Sequence, residues 1–161
     1  MYATIVFIIY GWAMITFFWK VPSWLYFLSL GEIAAILSYT FASSLVESTL
    51  ILSIFLFAGL VLPSALLTDQ FVIRGSMIVY GMSFWVALFN LNALIEVPTR
   101  SDVISFGIVA LLTVSLGLIA ADRIPAVRKL LFALSQRLTV FLYLWLPLSL
   151  LGMLFILFRI V

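Results

Sequence analysis

The sequence predicts an all-α, polytopic integral membrane bundle of about six transmembrane helices. Three observations predict it. The 161 residues are 66% hydrophobic and 9% charged, with a mean hydropathy of +1.36. A soluble domain is about 45–50% apolar and about 25% charged, so this chain has too little polar surface to cover itself in water. Six apolar runs are each long enough to cross a hydrocarbon core of about 30 Å as a helix of about 20 residues. The connections between them are too short to form a soluble domain, so residues 1–161 read as one transmembrane domain.

The first run, about 1–19, has no Lys or Arg ahead of it and reads as a retained helix rather than a secretory signal. The second, about 22–42, is opened by Pro22, which fits the first turn of a helix. The third covers about 48–68 and the fourth about 72–95. The fifth, about 98–121, is again opened by a proline, Pro98, and the sixth covers about 138–160. Lys20-Val21, Ser43–Glu47, Thr68–Gln70 and Glu96-Val97 connect the first five.

Only the segment before the sixth run is longer, and it is amphipathic. Val127, Leu130, Leu131 and Leu134 fall at i, i+3, i+4 and i+7, which makes one apolar face. Arg123, Arg128, Lys129 and Arg137 surround it. A helix over about 125–137, started by Pro125, is expected to lie in the headgroup layer with its basic residues on anionic lipid. It would anchor topology, and the same surface could dock a partner subunit.

The positive-inside rule orients six spans. Lys20, Arg74, Arg123, Arg128, Lys129 and Arg137 fall on one face, and Arg100 and Arg159 on the other. Both termini are then expected on the non-cytoplasmic side of a bacterial inner, organellar inner or thylakoid membrane.

Short patterns recur in order. Ile9-Tyr10-Gly11 returns as Val79-Tyr80-Gly81. Val21-Pro22-Ser23 with Ser29-x-Gly31 returns as Val97-Pro98-Thr99 with Ser105-x-Gly107. Phe57 to Leu67, containing Pro63, returns as Phe141 to Leu151, containing Pro147. Three spans per half would make this a 3+3 inverted repeat, an arrangement that recurs in transporters with sites near the midplane.

Among polar residues Glu32 stands out. If the second helix starts at Pro22, Glu32 lies about ten residues in, roughly 15 Å deep. A carboxylate there should be paired, protonated or facing a wet cavity. With Ser29 it is a candidate proton or ion site, or an interhelical hydrogen bond. Asn90 and Asn92 are amides that need partners in a dry setting, two residues apart and so on different sides of a helix. Arg74 can snorkel toward the surface, where Asp69 is near in sequence.

The chain has no Cys and no His, which removes disulfides, thiolate chemistry and most zinc, haem and Fe–S ligand sets. No catalytic constellation, phosphate-binding glycine loop or carboxylate cluster appears, so an enzyme acting alone is not expected. No cofactor is expected on its own ligands, whereas bound lipid is. A net charge of +2 carries no nucleic-acid footprint. The composition resembles that of small hydrophobic subunits of energy-transducing and electron-transport complexes. The first expectation is therefore a small non-catalytic subunit of a larger membrane complex, with lipids and other membrane subunits as partners. The alternative is a self-associating transporter or channel with a midplane site at Glu32.

Overall fold

The computed structural model describes the backbone of residues 1–61, 71–93 and 99–160, with the side chains of all of these except 91–93, 159 and 160. The described chain is all helical: α1 Tyr2–Trp24, α2 Leu30–Val61, α3 Phe71–Ala93, α4 Arg100–Arg123, α5 Pro125–Arg137 and α6 Thr139–Ile160. Five stretches are long and apolar enough to cross a membrane, the fifth being α5 and α6 taken together over Pro125–Phe158. Six spans were expected. The difference lies in the first third of the chain.

The connection expected at Lys20-Val21 is helix, and α1 runs on through Pro22 to Trp24. Lys20-Val21 has no Gly, Asn or Asp to turn the chain, and a proline in the last turn removes only one hydrogen bond. The turn falls instead at 25–29, where Leu28 N–H still donates to the Trp24 carbonyl at 2.7 Å. Helix α2 starts there because Ser29 and Glu32 satisfy each other's backbone. Ser29 N–H donates to Glu32 Oε2 at 2.8 Å, and Glu32 N–H donates to Ser29 Oγ at 3.4 Å. This reciprocal pair is a capping box. Thr99 and Asp102 form the same box at the start of α4.

The connection expected at Ser43–Glu47 is also helix, since α2 continues unbroken for 32 residues. Its hydroxyls are the reason. Thr40, Ser43, Ser48, Thr49 and Ser53 donate to carbonyls three or four residues back, at 2.8–3.1 Å. Polar residues that read as a loop are satisfied along the helix itself.

The chain groups into two compact units. One holds α1, α6 and α2 as far as Ala58. Its core is Val6, Tyr10 and Phe41, with Leu37, Trp145 and Leu148 packed around them. Phe7 meets Phe141 at 5.0 Å between ring centroids, and three residues on Tyr10 meets Trp145 at 5.6 Å. Helices α1 and α6 therefore run parallel. Phe41 meets Trp145, and a Cβ added to Gly152 would lie 3.2 Å from the Ser38 carbonyl oxygen. Helix α2 is thus antiparallel to α6, at very close approach.

The other unit holds α3, α4 and most of α5. Helices α3 and α4 form an antiparallel hairpin. Arg74 pairs with Asp122 at one end, and Trp85 and Phe89 pack on Phe106 toward the other. Ile73, Ala121 and Leu131 form the core, with Val127 and Tyr80 against it. Leu131 and Ser135 are the buried side of α5.

The recurrent patterns map unevenly. Tyr10-Gly11 and Tyr80-Gly81 sit at matching places in two 23-residue helices. Ser29 begins a helix, whereas its proposed match Ser105 lies inside α4. Pro22 lies in the last turn of a helix instead of opening one, and Pro63 and Pro98 lie outside the described residues. The offset that matches the tyrosines, 70 residues, also matches the two capping boxes, Ser29 to Thr99 and Glu32 to Asp102. That offset aligns α1 and the start of α2 with α3 and the start of α4.

Candidate functional site

Glu32 is the third residue of α2, not a mid-depth carboxylate. Besides its backbone bonds it accepts the Ser29 hydroxyl at 2.8 Å. The structure thus brings Glu32 and Ser29 together at an exposed helix start, where a negative charge is favoured by the four free N–H groups and the helix dipole. The depth expected from a start at Pro22 shrinks because eight residues, 22 to 29, belong to α1 and the turn. Asn90 donates to the Val86 carbonyl one turn back, at 2.9 Å, on the exposed surface of α3. The Asn92 side chain lies outside the described residues.

Polar side chains between helices are engaged with one another. Tyr10 and Ser149 join α1 to α6 at 2.5 Å. Ser149 spends its proton on the Trp145 carbonyl, so the Tyr10 hydroxyl is the donor. Ser76 and Ser135 join α3 to α5 at 2.9 Å, both buried. Trp85 Nε1–H donates to Thr113 Oγ1 at 2.6 Å and joins α3 to α4. Such bonds hold helices together where burial of apolar surface gives little drive, because lipid is as apolar as the helices.

The fourth tie is an ion pair. Arg74 donates from Nε and an Nη to the two Asp122 oxygens, at 3.1 and 2.9 Å. The planar fork fits a carboxylate in this two-point way. Sequence proximity pointed Arg74 to Asp69, which lies outside the described residues; the partner is 48 positions on, brought close by the hairpin.

Next to this pair the chain turns into α5. Ile124 ends α4, and Pro125 begins α5 with no N–H to satisfy. Val127, Leu131 and Ser135 face the unit, and Arg128 and Lys129 are exposed. Arg123 and Arg137 are exposed at either end. Leu130 and Leu134 form a second, exposed apolar edge. The helix thus combines an inward face, an exposed apolar edge and exposed basic residues. Among the described residues no group of three or more His, Cys, Asp or Glu could hold a metal ion.

Sequence reasoning placed the basic residues of this corner but missed Asp122 as the ion-pair partner. It also placed Glu47 in a connection, whereas Glu47 is exposed in the middle of α2. The signal for Glu47 was the capping box at Ser29, which moves every later boundary in the first third of the chain. Comparison with known proteins finds no matching family, no similar curated protein and no similar solved structure.

Proposed function

We propose that this chain is a small, non-catalytic integral membrane subunit that contributes helix packing and assembly to a larger complex. Energy-transducing and electron-transport assemblies are the class its composition resembles. The observation that carries the reading is how its polar groups are used. Tyr10–Ser149, Ser76–Ser135, Trp85–Thr113 and Arg74–Asp122 each tie one helix to another. The outer faces of the spans are meanwhile apolar and exposed. The transport alternative needed a mid-depth carboxylate at Glu32, and Glu32 is used to start a helix.

The same reading gives a topology. Parallel α1 and α6 fit five crossings, because six would make the first and last spans antiparallel. Arg74, Arg123, Arg128, Lys129 and Arg137 then share the cytoplasmic side, against Lys20, Arg100 and Arg159. Among the basic residues only Lys20 changes side relative to six spans, leaving the cytoplasmic side, and the amino end moves the other way, to the cytoplasm. The α5 basic face lies on the cytoplasmic leaflet, where anionic lipid is concentrated.

The test is isolation of the tagged chain from its native membrane in a mild detergent or lipid nanodisc. The expected result is fixed stoichiometry with other membrane polypeptides. A particle holding this chain alone, which moves ions across a reconstituted vesicle, contradicts the reading.

A further inference from the structure

The corner where α4 turns into α5 carries uncompensated positive charge. Arg123, Arg128 and Lys129, three of the eight basic residues, fall within seven positions, and all are exposed. None of them makes an ion pair or a side-chain hydrogen bond among the described residues. Asp122, beside Arg123 in sequence, gives both its oxygens to Arg74. No Asp or Glu follows Asp122 in the chain.

The α3–α4 hairpin sets the level of this corner. Its helices have 23 and 24 residues, about 35 Å each at the helical rise. Both are apolar enough to cross a membrane. Crossing a hydrocarbon layer of about 30 Å, they place both ends of the hairpin at its boundaries. The Arg74–Asp122 pair marks one end, and Arg123 is the last residue of α4. Helix α5 is held against that end by Leu131, which packs with Ile73 and Ala121, and by Ser135, bonded to Ser76.

A second observation is what lies between the cations. Ile124, one helical turn before Arg128, and Phe132, one turn after it, are both exposed. Leu130 and Leu134 are exposed on the other side of Lys129. An acidic soluble protein would meet the cations and leave these side chains in water. A phospholipid with an acidic headgroup uses both, because guanidinium and ammonium groups donate to phosphate while apolar side chains take the acyl chains.

We propose that this corner binds a phospholipid of net negative charge, its phosphate on Arg123, Arg128 and Lys129 and its acyl chains on the exposed apolar side chains beside them. The inference rests on α3 and α4 crossing a membrane, as in the reading above, and adds a lipid partner and the residues that select it. Arg137 is not among them. It lies eight positions, about 12 Å, beyond Lys129 along α5.

The chain lacks cysteine, so one bimane label can be placed at Ala133→Cys, exposed on α5 one turn after Lys129. A second protein carries it at Leu111→Cys, exposed in the middle of α4. The full chain is reconstituted in nanodiscs of about one part phosphatidylglycerol to about four parts phosphatidylcholine, with one lipid or the other brominated near its headgroup. The label at 133 should be quenched by phosphatidylglycerol well beyond its share of the lipid, and the label at 111 in proportion to that share. Arg123→Gln, Arg128→Gln and Lys129→Gln should each lower the preference at 133 about fivefold, the scale of one basic residue at an anionic surface. Arg137→Gln should leave it nearly unchanged. Proportional quenching or no quenching at 133 overturns the proposal, as does a preference that survives Gln at all three positions or falls as far with Arg137→Gln. In those cases quenching at 111 still shows α4 crossing the bilayer, and the membrane reading stands. If neither label is quenched by either lipid, the crossing falls as well.

Discussion

The two units place the same dipeptide, Tyr-Gly, at matching points of their first helices and use it differently. In the α1–α2–α6 unit Tyr10 is fully buried, stacked on Phe41 and Trp145, and donates its hydroxyl to Ser149. Gly11 beside it has open space where a side chain would go. In the α3–α4–α5 unit the weights are reversed. Tyr80 is only partly buried at the edge of its core. Gly81 is the close contact, and a Cβ there would lie 2.7 Å from Val114 Cγ2. One unit is held through an aromatic cluster around a tyrosine, the other through close helix approach at a glycine with an ion pair at its end. The third helix follows suit: α6 is an apolar span that stacks rings, and α5 is a short basic helix that needs only Leu131 and Ser135 inside.

Substitutions that exchange these roles test the contrast. Tyr10→Ala should have the largest effect, a loss of about 3–5 kcal/mol for an aromatic side chain removed from a packed core. Tyr80→Ala should cost less than half as much. Thermal unfolding of the two variants in one detergent checks the ranking, and equal losses would erase the distinction between the units.

The glycines come next and invert the order. Gly81→Ala should destabilise by about 1–3 kcal/mol, because buried Val114 is stiff at χ1 and cannot swing aside. Gly11→Ala should be neutral or stabilising by up to about 1 kcal/mol, from helix propensity alone. The measurement is the same melting comparison, with a cost at Gly11 as the contrary outcome.

Polar ties rank below packing. Asp122→Asn should cost about 1 kcal/mol, between an exposed and a buried pair, and the loss should shrink at high salt. Ser149→Ala should cost a similar amount, about 1–2 kcal/mol, because it strands the buried Tyr10 hydroxyl. That loss should not depend on salt, which separates the ionic unit from the aromatic one. Smallest of all is Glu32→Gln, within a few tenths of a kcal/mol, since Gln serves at the third position of a capping box as Glu does. A large loss of stability or function from Glu32→Gln would restore the carboxylate to a working role.

Much of this was legible from residues alone. A fold of helices long and apolar enough to cross a membrane followed from composition, and the amphipathic α5 from spacing and from Pro125. The connections at Lys20-Val21 and Ser43–Glu47 were misread for a physical reason. Apolar runs report where helices can be, and polar clusters report loops only when the backbone needs them. Ser43 and Thr49 turn their hydroxyls onto their own helix and leave no loop to make. The capping pair Ser29 and Glu32 was visible as a pattern but was read for depth rather than for helix start. Arg74 and Asp122 could not be paired by sequence distance, because hairpin geometry alone brings their ends together.

The account turns on α2 being one crossing with α1 and α6 parallel. The chain lacks cysteine, so single cysteines can be placed at Tyr26, Val46, Ser101 and Arg128 and labelled with a membrane-impermeant maleimide. Five crossings predict that Tyr26→Cys and Ser101→Cys label from one face and Arg128→Cys from the other. Val46→Cys should stay unlabelled until detergent is added. Labelling of Val46→Cys in intact membranes from the face shared with Ser101→Cys, with Tyr26→Cys protected, would contradict the account and restore six spans.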